Sequence, residues 1–115
     1  MKALKKGQNV LFTHCKIASN FFTRFMGLMG KTKLEEGDAI AFPHCNSIHT
    51  FFMLIPIDVL FISASGRVEA IYSALKPWKV VLPVKNAKHT IEMQAKRAEK
   101  LGIVVGDTLS LEGVF

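Results

Sequence analysis

Between Asp38 and Arg67 the chain carries one charged side chain, Asp58, set inside the run Ile57-Asp58-Val59-Leu60-Phe61-Ile62. A stretch so short of charge belongs in the interior of whatever fold forms. Burying a carboxylate there without partners would cost several kcal/mol, on the order of the desolvation penalties for buried charge. Asp58 must therefore accept hydrogen bonds from backbone or side chains, or open into a cleft. As an architectural residue it would fix the turn at Ile55-Pro56 by accepting backbone N–H groups. As a functional one it would meet a ligand or act as an acid or base.

The apolar segment is not a membrane span. Its longest unbroken run, Phe51 to Ile57, has seven residues and contains Pro56, against about 20 for a spanning helix. Membrane insertion is not expected. A chain of 115 residues, half of them hydrophobic and nine of them Phe, fits a single domain, residues 1–115, with a substantial core. Residues 1–7 read as a basic N-terminal tail. They lack the roughly 7–15-residue apolar region of a signal peptide. The two cysteines, Cys15 and Cys45, are too few for a disulfide scaffold and suit reduced thiols of the cytosol. A cytoplasmic location is the expectation, export following if a leader precedes this sequence.

Charge is unevenly placed. Residues 1–33 carry seven basic side chains and no acid, whereas residues 34–115 carry eight basic and nine acidic groups. A basic face can attract nucleic acid, but the aromatic and glycine pattern of an RNA-binding sheet is missing and no recognition helix is visible. A solvated lysine face is the simpler reading, and nucleic acid is not an expected partner.

Along the chain, residues 9–17 read as a strand. Ser19 or Asn20 then caps a short, largely buried helix carrying Phe21, Phe25 and Leu28 at helical spacing, ended by Gly30. Further strands are expected at 39–42, 48–54, 57–63, 67–72, 78–84, 89–94 and 108–111, with turns at Ser65-Gly66 and Gly106-Asp107. Residues 95–101 read as a second short helix. Strict alternation would place Val68, Ala70 and Tyr72 on one face, and His49, Phe51 and Met53 on another. The fold class is mainly β (α+β): a β-sandwich or partly closed barrel of seven or eight short strands with two short helices.

Cys45, His49 and Met53 together bring a soft-metal site to mind, with His14, Cys15 and His44 nearby in sequence. A single Cys-x3-His lacks the paired spacing of a zinc site, so no metal or other cofactor is expected and Cys45 and His49 are weak candidates. The same two residues could form a thiol–imidazole pair, although no oxyanion-hole motif accompanies them. Phosphate loops, zinc-protease helices and paired carboxylates are missing.

The order of Arg24-x-x-Gly27-Leu28-Met29-Gly30-Lys31, Phe42-Pro43, His49-Thr50-Phe51-Phe52-Met53-x-x-Pro56-Ile57-Asp58-Val59-Leu60-Phe61 and Gly66-Arg67-Val68 resembles the domain of unknown function 192 family. Pro77-Trp78, Ile91-Glu92 and Gly102-Ile103-x-x-Gly106-Asp107 continue the series, which spans residues 8–112. The resemblance implies a β-rich fold with short helices and no established activity. Members often read Phe-Trp-Met-Lys-Asn where this chain has Phe51-Phe52-Met53-Leu54-Ile55. Gly27, Leu28, Met29, Pro56, Gly106 and Asp107 are its structural positions. Arg24 is the expected charge partner of Asp58.

Three functions compete. A binding domain would receive a small ligand or protein in a cleft near His49, Met53, Asp58, Trp78 and Arg24. An enzyme would use Asp58, or Cys45 with His49. A structural or assembly protein would have Asp58 sealed by backbone donors. The binding domain is favoured; its ligand, partner and oligomeric state are not specified by the sequence.

Overall fold

The computed structural model describes residues 2–18, 37–51 and 53–115. Arg24, Gly27, Leu28 and Met29, with the helix expected between Ser19 and Gly30, lie outside these residues. The chain runs through β1 (Lys2–Lys6), β2 (Asn9–Ile17), β3 (Ala39–Phe42), β4 (Ile48–His49), β5 (Ile57–Ile62), β6 (Val68–Leu75), β7 (Val80–Val81), β8 (His89–Gln94), the short helix α1 (Arg97–Lys100) and β9 (Ser110–Leu111). Seven strands form one sheet in the order β6-β5-β8-β3-β2-β1-β9, and β4 pairs with β7 as a separate two-stranded sheet. Among the described residues only β2 and β3 run parallel; the other pairs are antiparallel.

The large sheet curls until its two edges meet. Arg67 bridges to Thr108, and Val68 N–H donates to the Asp107 carbonyl at 2.8 Å while Leu109 N–H donates to the Gly66 carbonyl at 2.8 Å. Gly66 has φ +94°, and a Cβ there would collide with the Leu109 carbonyl oxygen. The closure point therefore requires glycine. The result is the partly closed, mainly β barrel expected from the sequence. Among the described residues α1 is the helix, four residues long, shorter than the expected 95–101.

Alternation distributes the core over both faces of the sheet. Ala39, Ala41, Leu60, Ile62, Ile91 and Met93 belong to one cluster with Leu4, Leu109 and Leu111. Ile40, Phe42, Val59 and Phe61 belong to the other, with Met53 and Val81. All six residues of β5 are buried, which is why this strand is apolar at every position but Asp58: both its faces are covered.

Three expectations need correction. Lys2–Lys6 is a strand between β2 and β9, not a tail. Its lysines hid it: Leu4 is fully buried while Lys5 is exposed, a half-buried pattern masked by three charges. Val68 and Ala70 face opposite clusters, because a register shift between Phe61 and Ile62 inserts a bulge beside Glu69. Strand β4 stops at His49. The chain then turns, with Met53 N–H donating to the Thr50 carbonyl at 3.2 Å. Met53 consequently packs inward at 5% exposure while Phe51 stays outside.

Candidate functional site

Asp58 is fully buried, and its carboxylate collects backbone donors from two distant segments. Its Oδ1 accepts the N–H of Ala74 at 2.8 Å and of Lys96 at 2.9 Å; its Oδ2 accepts the N–H of Ala98 at 2.9 Å. Two of these donors sit at left-handed backbone positions, Ala74 with φ 50° and Lys96 with φ 71°. Ala74 belongs to a β5–β6 bulge, where Ile57 pairs with Leu75 but Val59 pairs with Tyr72. Lys96 and Ala98 flank the start of α1, whose N-cap has no side-chain hydrogen bond of its own. Asp58 thus caps α1 from the strand beside β8 and pins the bulge on its other neighbour, β6. The donors are not those of the Ile55-Pro56 turn. Arg24 lies outside the described residues. Pro56 is exposed immediately before β5.

Asp107 plays a comparable part at the barrel's closure. Its Oδ2 accepts Val104 N–H and the Lys6 ammonium, each at 2.9 Å, and these two donors hold its carboxyl below the usual range. Gly106, with φ +99°, makes the turn before it. A shallow depression of about 330 Å³ lies beside α1, lined by Ile71, Ser73 and Ala98 among others. Asp58 does not line it.

His49 and Trp78 sit elsewhere, on the outward face of the β4–β7 pair. Ile48 pairs with Val81 and His49 with Val80. Val81 is buried and Ile48 packs on the second cluster, so their neighbours His49 and Val80 point to solvent. The His49 and Phe51 rings lie 4.9 Å apart, and Phe51 stacks on Trp78 at 5.7 Å and 29°. Val80 is 57% exposed, Trp78 60% and Leu82 76%. These side chains form an aromatic and aliphatic surface open to water.

Thr50 builds this surface from below. It is fully buried. Its hydroxyl donates to the Lys76 carbonyl at 2.7 Å and accepts the Lys79 N–H at 2.8 Å. Its backbone carbonyl accepts the Trp78 N–H at 3.0 Å. One side chain therefore clamps both ends of the Lys76–Lys79 loop and holds Trp78 at φ 64°, a conformation that costs on the order of 1–3 kcal/mol for a non-glycine residue. Sequence reasoning missed Thr50; an uncharged hydroxyl amid apolar residues was its only signal.

The thiol and imidazole candidates point apart. Cys45 Sγ donates to the Ser47 carbonyl at 3.0 Å, whereas His49 Nδ1 accepts the Phe51 N–H at 3.3 Å. Cys45 packs against the second core cluster, while His49 is exposed. Cys15 lies in the first cluster, across the sheet from Cys45, and burial pushes its thiol up to about 12. Both cysteines are free. Among the described residues no three His, Cys, Asp or Glu side chains converge to hold a metal ion.

Two buried titratable groups, His89 and Glu92, escaped the sequence reading as site candidates. His89, buried on β8, accepts the His44 N–H at Nδ1 (3.2 Å) and stacks on Phe115. Burial, then the charges of His44 and Lys88, lowers its pKa. Glu92 pairs in register with Ile40 and Val59 and is 6% exposed. Burial raises its carboxyl to about 8, so it is largely protonated at neutral pH. Its only sequence signal was its place in the Ile91-Glu92 block.

A family model described as uncharacterised, DUF192, matches residues 2–111. The chain belongs to the DUF192 family. A UPF0127 protein of Thermococcus sibiricus is 36% identical over 101 residues, covering 84% of this chain and 65% of its own length. The chain therefore spans just under two thirds of that relative. A UPF0127 protein of Pyrococcus furiosus is 33% identical over 113 residues, 95% of both chains. The crystal structure of a protein of unknown function from Novosphingobium aromaticivorans superposes with a TM-score of 0.79 at 22% identity, covering 95% of this chain and 82% of that one. This last likeness speaks for the fold alone. Among the described residues of this DUF192 protein no helix is long and apolar enough to cross a membrane.

Proposed function

We propose that this DUF192 protein is a non-catalytic binding domain whose recognition surface is the outward face of the β4–β7 pair. The observation that carries this reading is the stacked, solvent-facing set His49, Phe51 and Trp78, extended by Val80 and Leu82. Exposed apolar side chains gathered on one face, over a clamped loop, mark an interaction site more readily than scattered ones. Asp58 supports the same reading by contrast. Its carboxylate is buried and occupied by backbone donors, an architectural arrangement rather than that of an acid or base in reach of substrate. The binding role thus rests on His49 and Trp78, with Met53 supporting the surface from the core and Asp58 holding the barrel.

Trp78 is the only tryptophan, so its fluorescence reports on this face. The fluorescent apolar dye anilinonaphthalene sulfonate should bind the native protein and accept energy from Trp78. Leu82→Asp, at an exposed position, should abolish that binding without lowering the melting temperature. Dye binding that is missing, or that survives Leu82→Asp unchanged, would overturn the proposal.

A further inference from the structure

We infer that the partner of this face is an anionic membrane surface, on which the domain docks peripherally by its exposed apolar side chains. The inference rests on the binding-face reading above and adds the chemistry of what is bound. Trp78, Val80 and Leu82 project from a short strand and its flanks, at 60%, 57% and 76% exposure. The segment that presents them also carries Lys76, Lys79, Lys85 and Lys88, all exposed, and no acidic residue occurs between Glu69 and Glu92. Apolar side chains flanked in the chain by lysines match a bilayer's two layers. Hydrocarbon lies within reach of Leu82 and Val80, the headgroup level suits the amphipathic indole of Trp78, and anionic phosphates meet lysines whose long stems reach outward.

Other partners fit this surface less well. A nucleic acid would need open aromatic faces for its bases, but Phe51 and Trp78 already stack on each other, and Leu82, more exposed than Trp78, Val80 or Phe51, is aliphatic. Protein interfaces are depleted in lysine, whereas here Lys76 and Lys79 stand at the two ends of the loop that presents Trp78. No spanning segment is required, since shallow insertion combined with basic residues suffices for reversible attachment.

The test uses the full chain with two vesicle populations, one of phosphatidylcholine alone and one of phosphatidylcholine mixed with phosphatidylglycerol. The protein should co-sediment with the anionic vesicles only. Its Trp78 emission should shift to the blue and lose sensitivity to the aqueous quencher iodide, and both effects should weaken with salt. Lys76→Ala and Lys79→Ala should each weaken vesicle binding about five-fold, and Leu82→Asp should abolish it. Failure to bind the anionic vesicles would overturn the inference, as would binding that Leu82→Asp leaves intact. A blue shift produced equally by a single-stranded oligonucleotide or an acidic peptide would also overturn it. If vesicles fail while the dye still binds in a Leu82-dependent way, only the membrane inference falls. If the dye also fails, the binding-face reading falls with it.

Discussion

Removing the Asp58 carboxylate tests the architecture most directly. In Asp58→Ala three backbone N–H groups, those of Ala74, Lys96 and Ala98, lose their acceptor inside the protein. Each buried donor left unsatisfied costs about 1–3 kcal/mol. The three together give roughly 3–9 kcal/mol, and water entering the vacated space moves the expectation toward about 5 kcal/mol. A domain of this size has only about 5–15 kcal/mol to lose, so the alanine variant should stand near its unfolding limit. Asp58→Asn is the sharper experiment. Its carbonyl oxygen can keep the two donors that share Oδ1, while its amide N–H groups oppose the Ala98 N–H, for an expected loss of about 2–3 kcal/mol. Urea denaturation gives the total. Amide hydrogen exchange locates it: Ala98 should lose protection in the asparagine variant, and Ala74 and Lys96 should follow in the alanine variant. An asparagine variant within about 1 kcal/mol of wild type, with Ala98 still protected, would refute the claim that this carboxylate ties α1 to the barrel.

Thr50→Val, close to isosteric, should remove the hydroxyl's bonds to Lys76 and Lys79 and cost about 1–3 kcal/mol. Because it also loosens Trp78, collisional quenching of the single tryptophan should change more than the far-ultraviolet circular dichroism. Glu92 sets a pH dependence. Its carboxyl, raised from 4.5 to about 8, holds its proton more tightly in the folded than in the unfolded chain. Its contribution is therefore fully present below pH 4.5 and is lost as pH rises through about 8. Glu92→Gln should be more stable than wild type at pH 9 by several kcal/mol, the gap closing toward pH 5, as thermal melts across that range would read.

Much of the fold was legible in the sequence. The bounds of β2, β3 and β8 follow from apolar runs and their turn residues, and β5 from an apolar run interrupted by Asp58 alone. What misled was local irregularity. Lysines disguised β1, a bulge beside Glu69 turned Ala70 away from Val68, and the turn after His49 sent Met53 inward while leaving Phe51 outside. Each breaks strict period-two alternation through a register shift or backbone turn that side-chain identity alone does not announce.

The sequence by itself determined that Asp58 must find hydrogen-bond donors, because a lone charge within that apolar run could not otherwise be buried. Only the tertiary structure decided which donors. They come from positions 16, 38 and 40 residues away in the chain, and such distances are bridged by the pairing of β5 with β6 and β8 rather than by any local pattern. The same holds for the outward face. Trp78 and His49 were visible as conspicuous residues, but their meeting through Phe51 depends on the pairing of two two-residue strands and on one buried hydroxyl, Thr50. Local sequence set the side chains' chemistry; the pairing of distant strands set which of them face each other, which are sealed and which remain open to a partner.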